Sequence, residues 1–567
     1  MVTVERVSES ESGSERGWGL KLILVTSVLL LGTSSIALAV GPTNSTGVTT
    51  IASDTERAAG IEIVRVYPNP VTDGDRGEFV VIDVSRKTNV SGWELRDEES
   101  VVSLPNRTVS GWIVLSTEPK AVENITDEPV LQLTGKISLS NAGERVRLVR
   151  DGTSVTTVEY SDAPEGELYQ RDSGEWTWQP FGATDLSVVE SGPSAARLFV
   201  LPDAPKAPAS TLDSATDRIL LGGYTFTSDR IASALVRAHR RGVHVEVLVE
   251  SGPVGGITTQ EKTVLDRLTA AGIDVHVLGG ERARYAYHHA KYAVVDDRAL
   301  VMTENWKPSG VGGHSNRGWG AIVRDSVTAD ELAAVFAADT GWLDTKRWRE
   351  FSRNETFEPS EPSFESYPST VPPKTVPVEQ TRLLAAPDNA EPELLAVMNN
   401  ATESISVVQV SIEGFDGPFT QAALQAARRG VEVRILLSNA WYVQDENRAL
   451  AERLNRLAGD SPLEVRLAEP NGRFEKIHAK GVIVDSDQVV VGSLNWNPYS
   501  ARENREIAVV LMGDAVGEYF SSVFDADWRG KNEELPTPIP VGIIAALGIA
   551  ILIALVLANA LEFEPKW

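Results

Sequence analysis

Two stretches of this chain repeat each other, and the repeat fixes most of what it can fold into. RILLGGYTF (218–226) is followed by SDRIASALVRAHRRG (228–242) and VHVEVLVE (243–250). SISVVQVSI (404–412) is followed by PFTQAALQAARRG (418–430) and VEVRILLS (431–438). In each, a short apolar run precedes a stretch of helical period and then a second apolar run, which predicts strand, helix, strand. Arg-Arg-Gly-Val stands at the end of both helices, at 240–243 and 428–431. Glycine suits a helix C-terminus, and arginine in the last turn suits the helix dipole. A further helix (260–272; 445–458) and strand (273–278; 463–467) follow in each copy. Such alternation predicts two α/β lobes, each with a mostly parallel sheet.

Each copy then reaches the same polar string. The first reads His289-Ala-Lys291 with Asp296; the second reads His478-Ala-Lys480 with Asp485. Residues i and i+2 of a strand face one side, so each histidine points with its lysine. The apolar runs YAVV and GVIV bury the strand, and each aspartate ends it at a turn. A return strand leads to Thr303-Glu-Asn305 or Ser493-Leu-Asn495, each followed by Trp. Hairpin geometry brings those polar groups back beside His and Lys. Imidazole serves as nucleophile and as acid or base near neutral pH, and lysine steadies anionic charge in a partly dry cleft. One site assembled from two halves is expected, with His289, Lys291, Asp296, His478, Lys480 and Asp485 as its catalytic set, turn geometry being the alternative for the two aspartates. Thr303, Asn305, Ser493 and Asn495 are expected to donate further hydrogen bonds there. His288 lacks the spacing, faces the other side and is expected to be structural. A zinc site on His288 and His289 is weighed against the divergence of neighbouring strand residues.

HxKx4Dx6GSxxN is the signature of the phospholipase D superfamily. The second copy, HAKGVIVDSDQVVVGSLNW, resembles it with Asn495 two rather than three positions after Ser493. The resemblance covers roughly residues 196–535. It implies lobes at 196–350 and 380–535 packed about a pseudo-twofold axis, with both histidines at one phosphodiester. One attacks phosphorus to form a phosphohistidine; the other protonates the leaving alcohol and then activates water or an acceptor alcohol. No metal and no cofactor are implied. The copies differ downstream. The second has Asn504-Arg-Glu506, and the resemblance implies that a glutamate there orients a catalytic histidine; the first has Asn316-Arg-Gly318. His289 is therefore expected to lack that carboxylate. Family habit favours His289 as nucleophile, and the missing carboxylate argues the other way.

The chain has 567 residues, too many for one core. Residues 60–185 carry short alternating runs separated by Gly, Pro, Asn and Asp turns: IEIVRVYPNP, EFVVIDVS, GWELRD, GWIVLS, ERVRLVRDG and TTVEYS. This predicts an all-β sandwich of immunoglobulin-like size. Tyr67-Pro-Asn-Pro70, Gly77-Glu78-Phe79, Gly92-Trp93, Asn141-Ala-Gly-Glu144 and Trp176-Thr-Trp178 resemble a lamin-tail domain, which implies an accessory or binding role. Residues 41–59 are expected to be a linker, and 351–379, rich in Pro and Glu, an exposed one.

The ends are apolar. Residues 1–40 are expected to be a signal peptide or an N-terminal transmembrane segment, the apolar part being 20–40; residues 539–560 are expected to be a transmembrane helix. Sequons begin at Asn44, Asn89, Asn106, Asn124, Asn354 and Asn400, all between the two apolar stretches. A catalytic body held on the outer face of the cell membrane is the expectation. Net charge is -26 and Arg outnumbers Lys 39 to 14. The balance resembles salt-adapted, haloarchaeal proteins, an ordinary acidic protein being the alternative. Such acidity counts against a general grip on nucleic acid or anionic lipid. The absence of cysteine excludes disulfides and thiol chemistry. The expected function is a phospholipase D-type phosphodiesterase acting on phospholipid. The alternatives are a nuclease with the same motif and a non-catalytic surface scaffold.

Overall fold

The computed structural model describes residues 60–70, 76–123, 125–126, 128–172, 174–280, 283–360 and 366–530. The stretches 1–40, 41–59 and 539–560 and the sequons at Asn44 and Asn124 lie outside them. Among the described residues no helix is long and apolar enough to cross a membrane.

Residues 61–180 form two sheets on one core. The larger has strands in the order Glu175–Pro180, Glu167–Asp172, Ile61–Tyr67, Phe79–Asn89, Thr108–Ser116, Val130–Gln132. The smaller has Val101–Ser103, Trp93–Arg96, Gly143–Arg150, Thr153–Ser161. Alternate residues of both face inward: Ile63, Val66, Val80 and Ile82 meet Trp93, Leu95, Val146 and Leu148. Each of the six runs expected to be a strand contains one.

The two lobes share one strand order. In lobe 1 the strands are β1 (Ser194–Leu201), β2 (Arg218–Gly223), β3 (His244–Glu250), β4 (Asp274–Leu278), β5 (Tyr292–Val295), β6 (Arg298–Met302) and β7 (Asn316–Arg324). In lobe 2 they are β8 (Gln380–Ala386), β9 (Ser404–Gln409), β10 (Glu432–Leu437), β11 (Leu463–Leu467), β12 (Gly481–Val484), β13 (Gln488–Gly492) and β14 (Glu506–Met512). The sheets run β4-β3-β2-β5-β6-β7-β1 and β11-β10-β9-β12-β13-β14-β8. The expected helices are present, Asp229–Arg240 and Thr259–Ala270 in lobe 1, Pro418–Arg428 and Gln444–Ala458 in lobe 2. Gly242 and Gly430 follow the first helix of each lobe with φ of 94° and 97°, the left-handed turn that the Arg-Arg-Gly-Val string demands.

Two expectations are corrected. Only β2-β3-β4 and β9-β10-β11 are parallel; the rest of each sheet is antiparallel. Crossover helices give the parallel part, whereas the HxKx4D run turns back through a tight hairpin, which only an antiparallel pair allows. The stretch 351–379 is not wholly a free linker either. Lys374–Val378 is a strand that pairs with β1 and buries Val376 and Val378. Its alternation of valine with Pro377 suits an edge strand.

The facing sheets share one core, to which Leu198, Val301, Trp319, Leu383, Val491 and Ile507 contribute from both lobes. Helices Ser326–Thr340 and Asp514–Arg529 add Leu332, Phe336, Phe520 and Phe524 to it. The exit of the β-sandwich is built into this seam. The Trp342 ring fills the space beside Gly182. Thr184 Oγ1 donates to Asp388 at 3.1 Å, and Val189–Ser191 pairs with β8.

Candidate active site

The two HxK segments lie just before β5 and β12, where the lobes meet. His289 N donates to the carbonyl of Arg505 at 2.9 Å, and His478 N donates to that of Arg317 at 3.0 Å. Lys476–Ile477 pairs in parallel with Asn316–Arg317 of β7. Each histidine is therefore anchored by backbone to the opposite lobe. The two arginines that carry those carbonyls are fully buried and pair across the seam. Arg317 meets Asp203 at 2.6 Å and Asp527 of lobe 2 at 2.9 Å. Arg505 meets Asp388 at 2.7 Å and Asp339 of lobe 1 at 3.2 Å.

The side chains repeat this crossing. His289 Nδ1 lies 2.8 and 3.0 Å from the two carboxylate oxygens of Glu506, in lobe 2. His478 Nδ1 lies 3.1 Å from Glu304, in lobe 1. Both glutamates are fully buried. Asn316 Nδ2 donates to Glu304 at 2.9 Å, and Asn504 Nδ2 donates to Glu506 at 3.2 Å. The expectation that His289 lacks a carboxylate is thus overturned: Glu506 serves it in trans, and Glu304 serves His478.

The reason lies in the ladder. Met302 pairs with Gly320 and Gly492 with Ala508, so two residues further on Glu304 stands opposite Gly318, and Leu494 opposite Glu506. Each lobe carries one carboxylate on this cross-strand pair, but on opposite members. A Cβ at position 318 would overlap the Glu304 side chain, so the glycine makes the room. Glu304 was missed in the sequence because its position reads as leucine in the other copy. The signal was available: a charge just past the end of an apolar return strand, opposite a glycine where its twin has glutamate.

Lys291 Nζ donates to the His289 carbonyl, and Lys480 Nζ to the His478 carbonyl at 2.8 Å. Lys480 Nζ also lies 3.3 Å from both ring nitrogens of His478. Burial pushes both imidazoles down to about 4, against the pull of Glu506 and Glu304. The lysine of the opposite lobe adds to the depression in each case, so both half-sites share one electrostatic centre. Burial lowers Lys480 to about 8 and Lys291 well below its usual range. Burial alone would raise the two glutamates, but the facing histidine and lysine hold each below the usual carboxylate range. Each imidazole is thus held at Nδ1 by a carboxylate, with Nε2 left for chemistry.

Asp296 and Asp485 are not brought to this centre. Asp296 accepts backbone N–H bonds from Thr216, Asp217 and Arg218; Asp485 accepts them from Thr402, Glu403 and Ser404. Both sit at left-handed φ, 56° and 50°, and tie the hairpin to the turn before β2 or β9. Their expected place in the catalytic set is corrected to this structural one. Thr303 and Ser493 are fully buried and bond to the neighbouring strand: Trp319 N donates to Thr303 Oγ1, and Ile507 N to Ser493 Oγ, both at 3.0 Å. Asn305 and Asn495 are half-buried, and Asn305 Oδ1 has no hydrogen-bond partner among the described residues. His288 is fully buried, and its backbone N–H donates to Glu250 at 2.7 Å. Tyr224 was also missed. Its ring packs edge-on against His289, centroids 4.7 Å apart, and lies 5.2 Å from Lys291 Nζ. No motif flags it; it is placed by the loop after β2.

Residues 209–340 and 394–528 each match the family described as cardiolipin synthase, PLD-like domain. The chain is 28% identical over 184 residues to phospholipase D Z of Dictyostelium discoideum, covering 29% of this chain and 41% of that protein. It thus spans less than half the length of that curated relative. Among solved structures it is similar to phosphatidylserine synthase of Haemophilus influenzae Rd KW20 (12% identity, TM-score 0.45, covering 65% of this chain and 97% of that one). It is also similar to the phospholipase D family member Nuc of Salmonella typhimurium (20% identity, TM-score 0.24, covering 28% and 98%).

Proposed function

We propose that this protein, whose two lobes each match a PLD-like domain, is a membrane-anchored phosphodiesterase of the phospholipase D superfamily acting on phospholipid outside the cell. One observation carries the reading: two imidazoles, each backed by a carboxylate from the other lobe, share one centre with two buried lysines. His289 Nε2 attacks phosphorus and expels the alcohol, which takes a proton from His478 as an imidazolium, charged in the complex with the anionic phosphodiester and held by Glu304. The phosphohistidine is then opened by water or a second alcohol, whose proton returns to His478. Lys291 and Lys480 hold the charge that builds on the non-bridging oxygens. Both oxygens of Glu506 grip His289, which fits a nucleophile, whereas Lys480 sits against the His478 ring and favours release of its proton.

Phospholipid is favoured by the rim. Val254, in the loop after β3, is 80% exposed, and Trp441, in the matching loop after β10, is 88% exposed. Tyr442 and Tyr499 are exposed beside the cleft. Aromatic rings with a polar edge suit a lipid–water boundary. The net charge of -26 disfavours a polynucleotide. Anchoring rests on the apolar runs 20–40 and 539–560, and an exterior body on the sequons, of which Asn89, Asn106, Asn354 and Asn400 are exposed.

The test is turnover of labelled phospholipid, DNA and bis(p-nitrophenyl) phosphate by the full chain, His289→Ala and His478→Ala. Turnover of phospholipid, lost in both variants, supports the reading; DNA cleavage without lipid cleavage supports a nuclease. Equal rates in parent and variants would remove the catalytic assignment. Acid-labile phosphate is expected on His289 in the His478→Ala protein, because p-nitrophenolate leaves without a proton.

A further inference from the structure

Two residues beyond Asn305, Lys307 lines a second space. A cavity of about 650 Å³ lies on the lobe 1 side, between the loop after β2, the loop after β6 and the first turn of Thr259–Ala270. Its wall carries the hydroxyls of Thr225, Ser228 and Ser309, the cations Lys307 and Arg230, and the carboxylate of Asp229. The wall is joined by backbone to Trp306, the residue after Asn305. Trp306 N donates to Thr225 O at 3.1 Å, and Ser228 N donates to Trp306 O at 3.0 Å.

Lys307 is the informative group. It is half-buried, yet its ammonium makes no hydrogen bond or ion pair with any described residue. Burial lowers it from the usual lysine range, with support only from the charges of Glu261 and Glu304. Asp229 does not serve it, being engaged with Gln260 at 3.2 Å and Arg267 at 3.7 Å. Arg230 donates to the carbonyl of Pro205 at 3.3 Å and has no carboxylate partner among the described residues. A partly desolvated cation without a partner is unfavourable, and an anion from outside relieves it. The other lobe has no counterpart: Asn497 stands where Lys307 does, and Tyr499 where Ser309 does. The two lobes therefore differ at this place.

We propose that this cavity holds the alcohol side of the phosphodiester and selects a small polyol headgroup bearing a second negative charge, a phosphate monoester or a carboxylate. The assignment rests on the phosphodiesterase reading. Lys307 and Arg230 take the anion, and the hydroxyls take those of the polyol.

The experiment is calorimetric binding of sn-glycerol 3-phosphate, and of glycerol, to the full chain and to Lys307→Met, Lys307→Arg and Lys291→Met. Glycerol phosphate is expected to bind and glycerol not. Lys307→Met raises Kd about tenfold or more, while Lys307→Arg stays near the parent value. A parent that binds neither probe, or binds both alike, overturns the proposal. So does a loss confined to Lys291→Met, which assigns the anion to the catalytic lysines. Bis(p-nitrophenyl) phosphate carries no second anion, so its turnover reads the catalytic assignment separately.

Discussion

Glu304 occupies the space that any side chain at position 318 would need, so the carboxylate beside His478 depends on Gly318 having none. Glu304→Leu is expected to lower kcat on the order of 10²-fold, the scale of a general acid that has lost its orienting group. Gly318→Glu in that background recreates the lobe 2 arrangement, leucine opposite glutamate, and is expected to restore most of the rate. Gly318→Glu alone places two carboxylates in one space and is expected to destabilise the fold. Steady-state kinetics and melting curves on the three proteins check this; a double variant no faster than Glu304→Leu contradicts the cross-strand exchange.

Asp296→Ala is expected to cost stability and not chemistry. It strips the acceptor from three backbone N–H groups at the turn before β2, about 1–3 kcal/mol. Denaturant unfolding should register the loss, while kcat of the folded fraction stays within about threefold of the parent. A kcat falling as far as that of His289→Ala would return Asp296 to the catalytic set.

The pH profile follows from burial. Both imidazoles are held down to about 4, so the neutral form that attacks persists well below the ordinary histidine range. Lys480, lowered to about 8, loses its charge above that pH. For bis(p-nitrophenyl) phosphate, whose leaving group needs no proton from His478, kcat/KM is expected to be bell-shaped with limbs near 4 and 8. For stability the sign runs the same way on the acid side. The unfolded chain takes up protons on these histidines below about 6.5 while the folded chain does not until about 4. That contribution is complete above about 6.5 and is lost as pH falls toward 4. Unfolding midpoints across that window test it.

Asp339→Ala leaves the fully buried Arg505 with Asp388 as its remaining carboxylate. Breaking one partner of a buried pair costs about 3 kcal/mol or more. Because the Arg505 carbonyl holds His289 N, kcat is expected to fall with stability. Thermal unfolding and turnover measured together check the coupling, and an unchanged rate in a destabilised protein would break it.

The repeat, the strand order within each copy and the pairing of histidine with lysine were legible because each depends on residues close in sequence. What was not legible depends on partners about 170 to 220 residues apart, such as His478 with Glu304 and His289 with Glu506. Glu506 was singled out, but its histidine was sought in its own lobe. The repeated Asn-Arg at 316 and 504 marked the place where the lobes hold each other. Valine alternation in 374–378 was masked by the prolines around it, so an edge strand read as linker.

The crossed pairs mean that neither lobe owns a working half of the enzyme. A fragment ending in the stretch before Lys374 keeps His289 but leaves its carboxylate on the other piece, and the second piece keeps His478 without Glu304. Nucleophile and acid are therefore tuned by a single variable, the alignment of one sheet against the other. Any slip of that seam detunes both steps at once, and no substitution in one lobe improves its own histidine without being felt across the divide.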